Sequence, residues 1–173
     1  MLGNSITEGG DWKKLLNDST IINRGISGDV TFGVLNRLDE IINRKPSKVF
    51  LLIGINDLSR NTPDEVIVTN IYRIAHTLHT RLPEIQVFVQ SILPTNNTFV
   101  NLKAQFKGKG KHIIYINDQL KQGAEKWKYT YVDLYASFSN DKGEMNPPFA
   151  TDGLHLSAAG YQHWVSILMQ LIK

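Results

Sequence analysis

The stretch Lys48-Val49-Phe50-Leu51-Leu52-Ile53-Gly54 sets the fold class, because it is a continuous apolar run between a lysine and a glycine. Such a run is typical of a strand that is buried on both faces, as in parallel sheets. A second strand is predicted from Ile85 to Leu93, where Pro94 ends it. We therefore expect a parallel sheet with helices covering both of its faces.

Segments with helical spacing alternate with these strands. Apolar residues recur at helical intervals between Phe32 and Asn43. Thr62-Pro63-Asp64-Glu65 has the cap, the proline and the acids that begin a helix, and this helix should end near Arg81. Strands are also predicted at Met1-Leu2, Thr20–Asn23 and Tyr129–Leu134, and helices at His112–Trp127 and Ser157–Ile172. The alternation predicts an α/β fold with a central parallel sheet of about five strands.

Length and composition exclude several classes of protein. The chain has 173 residues, which suits a single domain over residues 1–173. It has no cysteine, so disulfides and thiolate chemistry are excluded. The net charge of +3 is spread along the chain and gives little support for a nucleic-acid partner. No apolar run is long enough to span a bilayer. Compartment and oligomeric state stay open: the protein could be cytoplasmic, or exported after removal of a leader.

Polar clusters follow the predicted strands at their carboxyl ends. Ser5 follows the first strand, Asn23–Asp29 the second and Gly54–Asp57 the third. A fourth cluster, Asp152-Gly153-Leu154-His155, comes just before the last helix. Parallel strands place their carboxyl ends on one edge, where sites of open α/β sheets lie. We therefore expect the first three clusters to meet there, and the fourth to join them if the last helix starts from that edge.

The side chains of these clusters suit nucleophilic catalysis. A serine hydroxyl needs a general base, for which His155 is the candidate, and Asp152 is close enough in sequence to orient its ring. The Ser5 N–H, the Gly28 N–H and the Asn56 amide could stabilise an oxyanion. Each element also has a plainer interpretation: Ser5 as a helix cap, Gly28 and Asn56 as turn residues, and His155 as a surface or packed histidine. The joint occurrence of all four clusters in this order favours catalysis.

Four motifs resemble the blocks of the SGNH (GDSL-like) hydrolases. They are Gly3-Asn4-Ser5-Ile6-Thr7-Glu8-Gly9, Gly25-Ile26-Ser27-Gly28-Asp29, Gly54-Ile55-Asn56-Asp57 and Asp152-Gly153-Leu154-His155, in the family's order. The resemblance implies a flavodoxin-like three-layer α/β/α fold and a serine esterase mechanism without a metal or another cofactor. By position, it implies that Ser5 is the nucleophile, that Gly28 and Asn56 complete the oxyanion hole, and that His155 and Asp152 are the base and its orienting acid.

The chain departs from the family at two points. Asn4 stands where the family's first block usually has aspartate. An amide oxygen can partly replace a carboxylate as an acceptor of backbone hydrogen bonds, but not as a charge. Ser5, Asp152 and His155 are all present, so we expect activity to survive. Only Met1 and Leu2 precede the block, so the first strand is expected to be short.

The expected substrate is a short-acyl ester, with acetyl favoured. Val49–Ser59 and Gln90–Asn96 look most like the sugar O-acetylesterase and platelet-activating-factor-acetylhydrolase branches of the family, and both branches favour short acyl groups. The segment from Asn96 to Lys111 is polar and basic, unlike the apolar lid of a long-chain lipase. Its lysines suit either an acidic substrate or a solvated loop. Phe99, Phe106 and Phe149 are candidates for pocket lining or for packing. An acetylated sugar or sialic acid is therefore favoured, with a lipid ester as the alternative.

Other classes of function have weaker support. A flavin or nucleotide site would suit the fold, but neither a Gly-x-Gly-x-x-Gly motif nor a P-loop occurs. His76 and His79 have a spacing that a metal could use, yet no third ligand is placed with them, so no metal site is expected. A non-catalytic glycan- or ester-binding module is favoured only by Asn4.

Overall fold

The computed structural model describes residues 1–172. In this range a five-stranded parallel sheet has the strand order β2-β1-β3-β4-β5. The α/β fold with a central parallel sheet and flanking helices, expected from the sequence, is confirmed. The strands are β1 (Leu2–Gly3), β2 (Arg24–Gly25), β3 (Lys48–Leu52), β4 (Gln86–Gln90) and β5 (Thr130–Val132).

Helices connect the strands and cover both faces of the sheet. They are α1 (Ser5–Glu8), α2 (Trp12–Leu15), α3 (Thr31–Asn36), α4 (Leu38–Asn43), α5 (Ile55–Ser59), α6 (Asp64–Arg81), α7 (Gly110–Gly123), α8 (Leu134–Phe138) and α9 (Ala158–Ile172). No helix within residues 1–172 has the length and apolar character that crossing a membrane requires.

The apolar run that predicted the sheet lies at its centre. Strand β3 pairs with β4 from Lys48↔Gln86 to Leu51↔Val89, and the rings of Phe50 and Phe88 stack with their centroids 4.4 Å apart. Leu51 and Leu52 are each only 1% exposed, because helices cover both faces of the strand. Burial on both faces explains why the sequence shows no alternation of polar and apolar residues here.

The second strand lies later in the chain than predicted. It consists of Arg24 and Gly25 rather than Thr20–Asn23. Strand β1 offers only Leu2 and Gly3 for pairing, with the register Leu2↔Arg24 and Gly3↔Gly25. The β-branched residues before Arg24 therefore lie beyond the ladder, and Ile22 is 44% exposed.

The predicted helix from Phe32 to Asn43 is two helices, α3 and α4. The break is at Arg37, whose backbone (φ −113°, ψ 13°) departs from helical values. The Arg37 side chain reaches into the sheet edge, where its guanidinium donates to the carbonyl oxygens of Gly3 (3.2 Å) and Arg24 (3.0 Å). No sequence pattern indicated this buried contact, and helix α8 was likewise not predicted.

The strand order brings three loops together. Strand β1 lies between β2 and β3, so the loops that follow these three strands leave the sheet side by side. They carry Ser5, Gly28 and Asn56, respectively. In a sheet with this order, the crevice at the carboxyl ends of β1 and β3 is the usual place for a ligand.

Candidate active site

Ser5 is the first residue of helix α1, and Asn4 precedes it as the cap. The Asn4 side-chain oxygen accepts a hydrogen bond from the Ile6 N–H (3.0 Å), and Asn4 is fully buried. The interpretation of Ser5 as the helix cap is therefore wrong, since Asn4 does the capping. The Ser5 hydroxyl takes no part in capping, and its Oγ lies 3.1 Å from Nε2 of His155.

Asp152 and His155 share one tight turn. Asp152 Oδ2 lies 2.8 Å from His155 Nδ1, while its Oδ1 accepts the backbone N–H groups of Leu154 (3.0 Å) and His155 (2.7 Å). Partial burial works against ionisation of Asp152, but these hydrogen bonds from His155 and Leu154 outweigh it and hold the pKa of the carboxyl below its usual value. The carboxylate is therefore ionised at neutral pH.

This arrangement selects a tautomer for His155. An ionised carboxylate has no proton to donate, so the proton between it and His155 belongs to Nδ1. In neutral His155 the lone pair is then on Nε2, which faces Ser5. The hydroxyl of Ser5 donates to that nitrogen, as a nucleophile activated by a general base requires.

Backbone contacts hold the turn that carries Asp152 and His155 in place. An isolated bridge pairs Ala150 with Leu156, and the Asn96 N–H donates to the carbonyl of Gly153 (2.9 Å). Gly153 has φ +84°, and a Cβ there would lie 2.7 Å from the Asn96 oxygen, so only glycine fits the turn.

The residues expected to form an oxyanion hole line the same cleft as Ser5. Gly28 has φ +76°, and within residues 1–172 neither its N–H nor that of Ser5 donates to a protein acceptor. Asn56 uses one amide hydrogen to bond the carbonyl oxygen of Asp29 (2.9 Å), which leaves its second hydrogen available. The three donors proposed from the sequence are thus neighbours, and each has an unused hydrogen.

Two polar tethers that sequence reasoning missed support these loops. The first is the ion pair of Arg37 and Asp29, with a closest distance of 2.8 Å and both side chains largely buried. Since Arg37 also donates to the carbonyl oxygens of Gly3 in β1 and Arg24 in β2, it connects the strands that lead to Ser5 and Gly28. Asp29 was visible as the end of the second motif, but nothing in the sequence linked it to Arg37.

The second tether centres on Asp57, which is fully buried. It accepts the N–H of Thr31 (3.0 and 3.1 Å) and its hydroxyl (2.6 Å), and the Asn70 amide donates to that hydroxyl (2.9 Å). Burial raises the pKa of Asp57, although the bonds from Thr31 oppose the rise. This network joins the loop after β3 to the start of α3.

The cleft beside these residues has a volume of about 590 Å³. One wall is the segment after β4, where Leu102 and Phe106 are buried and Lys103 and Gln105 face the cleft. Phe106 thus lines the cleft, as one of the two sequence interpretations had it. Phe149 is a packing residue, because its ring stacks on that of His163 with centroids 4.6 Å apart. A separate cavity of about 330 Å³ lies around Met1, Ile22 and Lys48 and contains none of the candidate catalytic residues.

Comparison with known proteins identifies the class of this protein. A curated relative, platelet-activating factor acetylhydrolase IB subunit alpha2 of Rattus norvegicus, is 30% identical over 164 residues, covering 93% of this chain and 68% of the relative. The Homo sapiens protein of the same name has the same identity and coverage. The protein is an ester hydrolase.

Residues 1–163 match the GDSL-like Lipase/Acylhydrolase family, and the chain belongs to that family. A solved structure from Streptococcus pneumonia, described as a platelet activating factor, superimposes with a TM-score of 0.91 at 29% identity, covering 99% of this chain and 82% of that one. An acylhydrolase from Bacteroides fragilis gives a TM-score of 0.87 at 28% identity, covering 99% and 84% of the two chains. The resemblance identified from the four motifs is confirmed.

Proposed function

We propose that this protein is a serine esterase that removes short acyl groups, acetyl above all, from a polar alcohol such as an acetylated sugar or sialic acid. The observation that carries the proposal is the hydrogen-bonded chain from Ser5 Oγ through His155 to Asp152, at 3.1 and 2.8 Å. Both distances are within the reach that a nucleophile and its base require.

Acylation follows from these contacts. His155 Nε2 takes the proton of Ser5 as Oγ bonds to the ester carbonyl carbon, and the imidazolium that forms is stabilised by Asp152. The negative charge moves to the carbonyl oxygen, where the N–H groups of Ser5 and Gly28 and the Asn56 amide can donate to it. His155 then gives its proton to the departing alcohol oxygen, which leaves an acetyl ester on Ser5.

Deacylation reverses the roles. His155 accepts a proton from water, whose oxygen attacks the acyl carbon, and returns the proton to Ser5 Oγ as the carboxylic acid leaves. Each donor of the oxyanion hole is expected to contribute about 2.7–4 kcal/mol of transition-state stabilisation, by analogy with measured oxyanion holes.

Two observations support a small acyl group and a polar alcohol. Most residues that line the cleft are polar, among them Ser27, Ser59 and Gln105, so they can hydrogen-bond a polar alcohol. The relatives of Rattus norvegicus and Homo sapiens are named acetylhydrolases. Those names also favour a second candidate, platelet-activating factor or a similar lipid ester, which requires the same chemistry at Ser5.

The test is hydrolysis of p-nitrophenyl acetate, butyrate and octanoate by the wild type and by Ser5→Ala. We expect kcat/KM to fall with acyl length and the Ser5→Ala variant to lose activity on all three esters. Acetylated sialic acid and platelet-activating factor, compared next, separate the two alcohols. Activity that survives in Ser5→Ala would overturn the assignment of the nucleophile, and a preference for octanoate would overturn the short-acyl proposal.

A further inference from the structure

The cleft is asymmetric in charge. Its lining contains two cationic side chains, Arg60 and Lys103, and one carboxylate, Asp152. Asp152 is engaged with the ring and backbone of His155. Glu8 accepts a hydrogen bond from Ser27 but is not part of the cleft lining. Nothing in the lining therefore offsets the two cations, apart from a carboxylate already committed to His155.

Arg60 is held close to the candidate oxyanion hole. One of its terminal nitrogens donates to the carbonyl oxygen of Gly28 (2.8 Å), and the same nitrogen would lie 3.9 Å from a Cβ at Gly28. Within residues 1–172 Arg60 has no carboxylate within ion-pair distance, in contrast to Arg37. A guanidinium has five N–H donors, so this anchor leaves most of them free for a planar anion.

Lys103 also lines the cleft, just before Ala104–Phe106, which contact helix α5 next to Arg60. Its segment is held by the buried side chains of Leu102 and Phe106, on either side of it. The Lys103 ammonium has no hydrogen-bond acceptor or ion-pair partner among the described residues, whereas Lys109, on the same segment, donates to Asn61. Lys103 itself is exposed, so its charge is left to solvent or to a ligand.

We propose that Arg60 and Lys103 form a subsite for an anionic group, a carboxylate or a phosphate, on the alcohol part of the ester. This inference rests on the proposed function, because Ser5 defines where the ester must lie. An acetyl group has no position for a charge, so the anion belongs to the alcohol. The preferred substrate is then the acetyl ester of an acidic alcohol, whose anion Arg60 and Lys103 would bind.

The experiment compares three acetyl esters of similar size: 4-acetoxybenzoate, 4-acetoxyphenyl phosphate and the neutral 4-acetoxybenzamide. The readout is the ratio of kcat/KM for each anionic ester to that for the neutral one, in wild type, Lys103→Gln and Arg60→Gln. Lys107→Gln is the matched control, because it removes the same charge from the same segment but lies outside the cleft lining. The carboxylate and phosphate arms show which anion the subsite prefers.

For the wild type we expect a ratio of about 10 for at least one anion, since hydrogen bonds between charged partners are the strong ones. Lys103→Gln and Arg60→Gln should each bring that ratio down toward 1, while Lys107→Gln leaves it unchanged. High salt should lower the wild-type ratio in the same direction. A wild-type ratio near 1 for both anions, or a ratio that neither substitution changes, overturns the subsite.

A binding measurement separates this inference from the proposed function. The three esters are titrated into Ser5→Ala protein by calorimetry, where no hydrolysis is needed. Tighter binding of an anionic ester that depends on Lys103 supports the subsite even if wild type hydrolyses none of the esters, in which case the esterase proposal fails alone. Hydrolysis of all three with equal affinities leaves the esterase intact and refutes the subsite.

Discussion

Replacing Gly25 by alanine should disable the site without touching any candidate catalytic residue. Gly25 lies in β2 directly against helix α1, and a Cβ there would meet the Glu8 backbone nitrogen at 2.1 Å and the Glu8 Cα at 2.6 Å. Both atoms belong to backbone and cannot rotate away. Because Glu8 ends the single turn that Ser5 begins, any retreat of Glu8 moves the nucleophile as well.

The geometry sets the size of the effect. Real Cβ contacts do not fall below 3.0 Å, so β2 and α1 must separate by about 1 Å, a misplacement that costs about 10²-fold in catalysis. That factor corresponds to about 2.7 kcal/mol of transition-state stabilisation. The hydrogen bond from Ser5 Oγ to His155, now 3.1 Å, should be the contact that is lost. Overpacking should also lower the free energy of unfolding by about 1–3 kcal/mol.

Two other glycines provide matched controls. A Cβ at Gly110 meets nothing within 4 Å, so Gly110→Ala should keep the activity and lose no stability. A Cβ at Gly123 would meet the Tyr72 hydroxyl at 2.5 Å, away from the cleft, so Gly123→Ala should lose stability but keep kcat. The assay is kcat on p-nitrophenyl acetate at a temperature where urea titration shows each variant to be folded. A folded Gly25→Ala enzyme with kcat within threefold of wild type would refute the reasoning.

Three further outcomes are expected. Asp152→Asn should lower kcat by about 10⁴-fold, because the new amide can donate to Nδ1 and so place the proton of His155 on Nε2, the wrong tautomer; unchanged kcat would contradict this. The pKa of Asp152 is lower in the folded protein than in the unfolded chain, so its ionised form stabilises the fold. This stability should be present above the unfolded pKa of about 3.9 and be lost as the pH falls through the folded pKa. The free energies of unfolding of wild type and Asp152→Asn should therefore converge in acid. Thr31→Val should lower the free energy of unfolding by about 3 kcal/mol, because buried Asp57 loses a donor and Asn70 loses its acceptor. Thr31→Ser keeps the hydroxyl and should lower the free energy of unfolding far less. Equal losses in the two variants would refute this account.

Much of the fold could be predicted from the sequence because the buried strands are continuous apolar runs. Strand β3 and helix α6 lie where their patterns placed them. The meeting of Ser5, Gly28 and Asn56 followed from topology alone, since successive parallel strands end on one edge of the sheet. Short elements were predicted less well. Strand β2 lies later in the chain than predicted, because only the residues that pair with β1 form the strand.

Sequence patterns did not predict the polar contacts that support the loops of the site. Arg37 interrupts a helical pattern, and its guanidinium binds carbonyl oxygens from β1 and β2. Asp57 and Thr31 are far apart in sequence, so their contact could not be inferred from spacing. Periodicity reports which face of an element is buried. It does not report which polar side chains form hydrogen bonds with each other once the elements have packed.

Asp152 and His155, the proposed acid and base, lie on one loop closed by the Ala150–Leu156 bridge, while Ser5, the proposed nucleophile, lies at the sheet edge. Movement of that loop as a unit would carry His155 and Asp152 together and would change the distance from His155 to Ser5. Warming or dilute denaturant should therefore stop turnover by moving this loop away from Ser5, before global unfolding begins. The downfield proton resonance of the imidazole Nδ1–H should persist in a protein that has already become inactive, and cooling should restore turnover at once.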